Sequence, residues 1–90
     1  MRTTFYDDNV FNEFLAWAVE DKKIFNKISA LIKDIKRNPT DGIGKPEPLK
    51  YDYSGYWSRR ITDKHRLIYK VTENNEELII ISCKNHYAVK

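Results

Sequence analysis

Residues 44–71 read GKPEPLKYDYSGYWSRRITDKHRLIYKV. The stretch carries seven cations (Lys45, Lys50, Arg59, Arg60, Lys64, Arg66, Lys70) against three acids (Glu47, Asp52, Asp63). That surplus exceeds the +3 of the whole chain. Among the charges stand Tyr51, Tyr53, Tyr56, Trp57 and Tyr69. Cations beside flat rings suit a phosphodiester chain, charge meeting phosphate and π-face meeting base. The same composition fits a solvated sheet face whose aromatics only pack, and at this level both readings stand. The order of residues decides the fold. β-forming runs at 56–61 and 65–72 flank the short Thr62-Asp63-Lys64 turn, and a third at 77–84 follows Glu73-Asn74-Asn75-Glu76. This is the spacing of an antiparallel meander. Leu78 to Ile81 is apolar on both sides, so the third run is expected to be the central, doubly covered strand. Alternation puts Tyr56, Ser58 and Arg60 on one face of the first strand and Arg66, Ile68 and Lys70 on one face of the second. Arg59 points the other way, toward a helix or solvent.

Upstream, residues 40–54 form a long connection punctuated by Gly42, Gly44, Pro46 and Pro48, a length at which loops are usually functional or disordered. Pro46 and Pro48 fix the backbone on either side of Glu47, so this carboxylate is stiffly mounted. Further upstream, Ile24, Ile28, Leu31 and Ile35 form one row of a helix ending at Asn38-Pro39, with Phe25 and Ile32 beside it. Its outer face is basic: Lys22, Lys23, Lys27, Lys33, Lys36 and Arg37. Solubility explains such a face, and a grip on nucleic acid away from any active site is the other use. A first helix is expected at 9–20, capped by Asp7, Asp8 or Asn9, with Val10, Phe11, Phe14, Leu15, Trp17 and Ala18 toward a core. Asp21 caps the second helix. Residues 2–6 form a brief strand.

Ninety residues make one domain, 1–90, with a small core. With 41% hydrophobic and 32% charged residues, the chain is too apolar for disorder. A pI near 9.0 favours polyanionic partners, although +3 is a modest bias. The single cysteine, Cys83, excludes an internal disulfide and, inside an apolar run, reads as a buried small hydrophobe. No secretory h-region and no apolar span of membrane length is visible, so the expected location is cytoplasmic, with no membrane partner.

Several chemistries find no residues here. His65 and His86 are far apart, and no HxH, HExxH or CxxC pair suggests a metal. There is no Gly-x-Ser-x-Gly elbow and no phosphate-binding glycine loop. RNA, however, brings its own nucleophile, the 2′-hydroxyl. Its cleavage needs a base, a cation over the crowded phosphorus, and an acid for the departing 5′-oxygen. Glu47 can be the base, Arg66 and Arg60 the cations, and His86 the acid, with Lys50 holding phosphate or tuning the carboxylate. His65, bordering a turn, reads as a surface or packing residue, and an isolated terminal histidine such as His86 carries the same bland reading.

The strings GKPEPLK, SGYWSRRIT, HRLIY and the late His-Tyr pair together resemble the YoeB family of the RelE/ParE superfamily of bacterial toxin–antitoxin systems. The resemblance extends over nearly the whole chain. It implies an α+β fold, two N-terminal helices packed on a twisted antiparallel sheet, similar to small microbial RNases. It implies a ribosome-dependent endoribonuclease that cuts mRNA in the A site of the 70S ribosome without metal or cofactor. Glu47 would be the general base, Lys50, Arg60 and Arg66 the phosphate contacts, His86 the general acid, and Tyr87 a contact to the substrate base. It further implies a YefM/Phd-like antitoxin and a homodimer. The family pattern ends at the His-Tyr pair, whereas Ala88-Val89-Lys90 extend this chain. Two rival functions are a non-catalytic RNA- or ribosome-binding module and a ParE-like gyrase inhibitor, neither of which needs the Glu47/His86 pair.

Overall fold

The computed structural model describes residues 3–72 and 77–84. Strand β1 (Thr3–Tyr6) leads into helix α1 (Asp8–Glu20) and helix α2 (Lys22–Arg37). Strands β2 (Glu47–Pro48), β3 (Tyr56–Arg60), β4 (Arg66–Val71) and β5 (Glu77–Ser82) follow, with a single 3₁₀ turn at Tyr51–Tyr53 between β2 and β3.

One aspartate joins the helices. The Asp21 backbone N–H donates to Trp17 O at 2.9 Å, closing α1, while its carboxylate accepts from the Lys23 N–H at 3.0 Å, opening α2. A side chain that caps one helix while its backbone closes another leaves no room for a flexible linker. Asp7 caps α1 in the same way, accepting from Asn9 at 2.9 Å.

The five strands form one sheet in the order β1-β5-β4-β3-β2. Both helices pack on one face, where Trp17, Ile28, Leu31 and Ile35 meet Leu67, Tyr69, Leu78 and Ile80. The ends of α1 and β5 are tied by polar bonds as well: Trp17 Nε1 donates to Cys83 O at 3.0 Å, and Glu13 accepts from Cys83 N at 2.8 Å.

The α+β class with two helices on a sheet holds, and four details of the sequence reading change. The sheet is mixed, because β1 runs parallel to β5 while every other pair is antiparallel. A pairing between the two ends of the chain leaves no local pattern to read. Second, β4 is the central strand, and β5 lies beside it with Ile79 and Ile81 only half-buried. An apolar run thus marked a well-covered strand without fixing its rank. Third, residues 40–54 contain a strand, since Glu47 pairs with Ser58 and Pro48 with Trp57. Proline lacks a donor and is tolerated there because β2 is an edge. Fourth, only Val10 and Trp17 of α1 are buried; Phe11 and Leu15 are about half exposed. Six apolar positions spread round more of a helix than one sheet face can cover.

Candidate active site

Strand register assembles the site. Glu47 on β2 lies opposite Ser58 on β3, and Ser58 lies opposite Ile68 on β4. Two residues along, Arg60 lies opposite Arg66. Paired residues and their i±2 neighbours share a face, so Glu47, Arg60 and Arg66 project from the same side of the sheet. It is the side away from the helices, because the intervening Arg59, Leu67 and Tyr69 are buried beneath α2 and α1. With strands about 4.8 Å apart and about 3.4 Å per residue, the Glu47 and Arg60 backbones stand about 8 Å apart. Side chains of this length can reach one phosphate from both. Ser58 and Ile68, between the charged positions, are buried.

The Glu47 arm is fixed at both ends. Arg60 N donates to Gly44 O at 2.6 Å on one side, and Leu49 N to Tyr56 O at 2.8 Å on the other. Lys45 (φ 51°) and Tyr51 (φ 57°) bracket the segment in the left-handed region. Non-glycine residues adopt it only where surrounding contacts over-determine the backbone. Glu47 itself is exposed and makes no ion pair with a described residue. Lys50, also exposed, opens the 3₁₀ turn three residues on. Arg66 is partly anchored: its Nη1 donates to the carbonyls of Thr62, Asp63 and His65. No described contact uses its Nε or Nη2, which leaves that edge of the guanidinium for an anion.

The aromatics of this stretch divide. Tyr69 is fully buried and Trp57 packs against the core, so neither offers a face to a base. Tyr53 and Tyr56 meet edge to face at 6.4 Å, and Lys70 lies 5.5 Å above the Tyr56 ring, on the open side. His65 is buried edge-on against Trp17 at a ring separation of 4.8 Å, the packing role. Cys83 is buried, and its thiol is pushed up to about 12 by burial and by Glu13, which removes it as a nucleophile. His86 and Tyr87, the expected acid and base contact, lie outside the described residues, as does the Ala88-Val89-Lys90 extension.

A residue that the sequence undersold is Arg59. It is 0% exposed, and all five of its N–H donors find acceptors. Nε donates to Tyr69 Oη at 3.3 Å, Nη1 to the Asp34 carboxylate and Ile43 O, and Nη2 to Asn38 O and Asp41 O. Tyr69 Oη in turn donates to Pro39 O. One guanidinium therefore gathers the connection from α2 toward β2. The Arg59 hydrogen bond holds Asp34 below the usual carboxylate range, against the opposing effect of burial.

The family described as the YoeB-like toxin of bacterial type II toxin–antitoxin systems matches residues 6–87. The chain belongs to the YoeB toxin family. The toxin YoeB of Escherichia coli K12 is 49% identical over 82 residues, covering 91% of this chain and 95% of that protein. Among solved structures, a YoeB/ParE toxin from Agrobacterium tumefaciens superposes with a TM-score of 0.90 at 41% identity, covering 94% and 99% of the two chains. From Staphylococcus aureus, a YoeB dimer (TM-score 0.86, 41% identity, 96% and 98% covered) and a YoeB–YefM complex (0.84, 41%, 97% and 99%) are also similar. The YoeB fold is thus the one on which Glu47, Arg60 and Arg66 are displayed. No described helix is long and apolar enough to cross a membrane.

Proposed function

We propose that this YoeB-family chain is an mRNA endoribonuclease acting on the ribosome, where it cuts the message in the A site and halts translation. Glu47 takes the proton of the 2′-hydroxyl, and the freed oxygen attacks the adjacent phosphorus. Arg60 and Arg66, with Lys50, hold the phosphate and offset its added negative charge. The bond to the 5′-oxygen breaks as His86 delivers a proton to it, leaving a 2′,3′-cyclic phosphate and a free 5′-hydroxyl. Tyr87 contacts the neighbouring base. Each proton carrier accounts for about 10²–10⁴-fold and the cationic clamp for a comparable factor.

The observation that carries this reading is the register that puts Glu47, Arg60 and Arg66 on one open face, with Glu47 unpaired among the described residues. The family resemblance supports His86 as the acid. Every proton and charge in the scheme belongs to a side chain, so the bond-breaking step calls on no metal. The ribosome as site of action implies a cytoplasmic protein. A YefM/Phd-like antitoxin and a second copy of the chain are the partners suggested by the S. aureus relatives.

Primer extension on mRNA in a translating extract tests the scheme. Wild type should cut, whereas Glu47→Ala and His86→Ala should each lose about 10²-fold or more. Hydrogen in place of the 2′-hydroxyl at the cut nucleotide should abolish cleavage. Continued cutting of that deoxy substrate would overturn the mechanism. Undiminished toxicity of both variants would point instead to a binding module, and intact mRNA with inhibited supercoiling to a gyrase inhibitor.

A further inference from the structure

Helix α2 carries a second, separate concentration of charge. Lys22, Lys23, Lys27, Lys33 and Arg37 are exposed and form no ion pair with any described residue. The one acid of the helix, Asp34, is bridged by Arg59 and half-buried, and of the outer cations only Arg37 also acts on its charge. On an ideal helix, Lys22, Lys33 and Arg37 fall within about 60° of one another and span about 22 Å along the axis. The stripe lies on the opposite side of the molecule from Glu47 and Arg66, since α2 covers the other face of the sheet.

Solubility does not account for the pattern. A solvated surface intersperses both signs, whereas here α1 bears only acids (Asp8, Glu13, Glu20) and the outside of α2 only cations. Lys23 with Lys27, and Lys33 with Arg37, are like-charge pairs at i,i+4, which weaken a helix. Lys22 and Lys23 sit in the first turn, which has no acid, at the positive end of the helix dipole. Local choices that oppose the fold concentrate at functional surfaces. A protein partner is a poor fit, because lysine is depleted from protein interfaces and no exposed large apolar residue lies on this helix. A straight row of cations that form no ion pair with a described residue instead fits a row of phosphates.

We propose that the outer face of α2 docks on the phosphate backbone of duplex RNA, without reading bases, and so holds the toxin on structured RNA while the sheet face works on the single-stranded message. This deepens the nuclease reading and rests on it only for the effect on cleavage.

The test uses matched double variants of the full chain, Lys33→Gln/Arg37→Gln and, as control, Lys64→Gln/Lys84→Gln. Glutamine keeps helix propensity, and both variants lose the same charge. Affinity for a short blunt-ended RNA duplex is read by fluorescence anisotropy between about 50 and 200 mM salt. The α2 variant should bind roughly ten- to fifty-fold more weakly, with the slope of log K on log salt flattened by about two; the control should stay within about two-fold of wild type. On ribosomes, the α2 variant should raise KM and leave kcat nearly unchanged. Equal weakening in both variants, or unchanged duplex affinity, overturns the proposal. Unchanged duplex affinity with lost antitoxin binding would make the face a protein interface. Glu47→Ala should bind the duplex as wild type does. Duplex binding by a wild-type protein that cleaves nothing would sink the nuclease reading alone.

Discussion

Arg59 and Arg60 are neighbours of the same type, yet replacement by lysine should have opposite consequences. The Arg59 guanidinium is wholly buried and serves five acceptors with five donors. Lysine keeps the charge but has three donors and no planar fork, so at least two acceptors lose their partner. An orphaned buried acceptor costs about 1–3 kcal/mol. Residues 38, 41 and 43 are exposed, so water can reach part of the loop and the lower half of that range applies. Arg59→Lys should therefore cost about 2–4 kcal/mol, a large share of the roughly 5–13 kcal/mol expected for a domain this size. At about 4–8 °C per kcal/mol, the Tm should fall by about 8–32 °C. Arg60→Lys, on the open face with no described side-chain partner, should stay within about 0.5 kcal/mol of wild type while losing cleavage. Thermal melts by circular dichroism, with urea titrations for ΔG, read the first effect, and primer extension reads the second. A Tm for Arg59→Lys within 3 °C of wild type, on the order of measurement scatter, or equal destabilisation by both, would refute the clamp.

Three other perturbations follow from the same contacts. Gly42→Ala should destabilise by more than about 1 kcal/mol, because φ is +128° and an added Cβ would come within 2.0 Å of the Asp34 carboxylate; urea unfolding checks it. Native Cys83 should resist thiol reagents at neutral pH and react once the chain is unfolded, as a dithiobis-nitrobenzoate time course would show. His65 is pushed below its ordinary value by burial, then by Lys64 and Lys84, so the unfolded chain binds more protons near pH 6. Stability should accordingly fall as pH drops from about 7 to 5, and His65→Leu should remove that part of the slope in parallel melts.

What the sequence made legible was local. The row Ile24, Ile28, Leu31, Ile35 and the Asn38-Pro39 stop predicted α2, observed at Lys22–Arg37, and alternation predicted that Ser58 and Arg60 share a face of one strand and Arg66 and Ile68 a face of the next, which the register then joined. What escaped was set by partners distant in the chain. A two-residue strand containing Pro48 exists only because β3 offers it an edge, and β1 finds β5 across more than seventy residues. Alternation sent Arg59 away from Arg60, but its partner Asp34 stands 25 residues earlier in an otherwise basic helix, where nothing marks it. The aromatics misled for the related reason that Tyr69 alternates toward the core while Tyr56, on the neighbouring strand, lies on the other side beside Lys70.

Strand β3 thus uses its two faces for two linked purposes. Inward, Arg59 gathers the connection that leads to Glu47; outward, Ser58 sets the register of Glu47, and Arg60 stands on the same face, where the proposed site lies. The Arg60 N–H joins the two, since it bonds Gly44 O one residue beyond the Ile43 carbonyl that Arg59 holds. Loosening the clamp should therefore lower cleavage through the carboxylate and not through phosphate binding. At a temperature where Arg59→Lys remains folded, its single-turnover rate should fall several-fold with little change in the substrate concentration for half-saturation. Combined with Glu47→Ala, the same substitution should cause no further loss, because residues acting through one group are not additive. Multiplying deficits in the double variant would mean that Arg59 supports the fold alone, with Glu47 held by Pro46, Pro48 and the β2–β3 pairing.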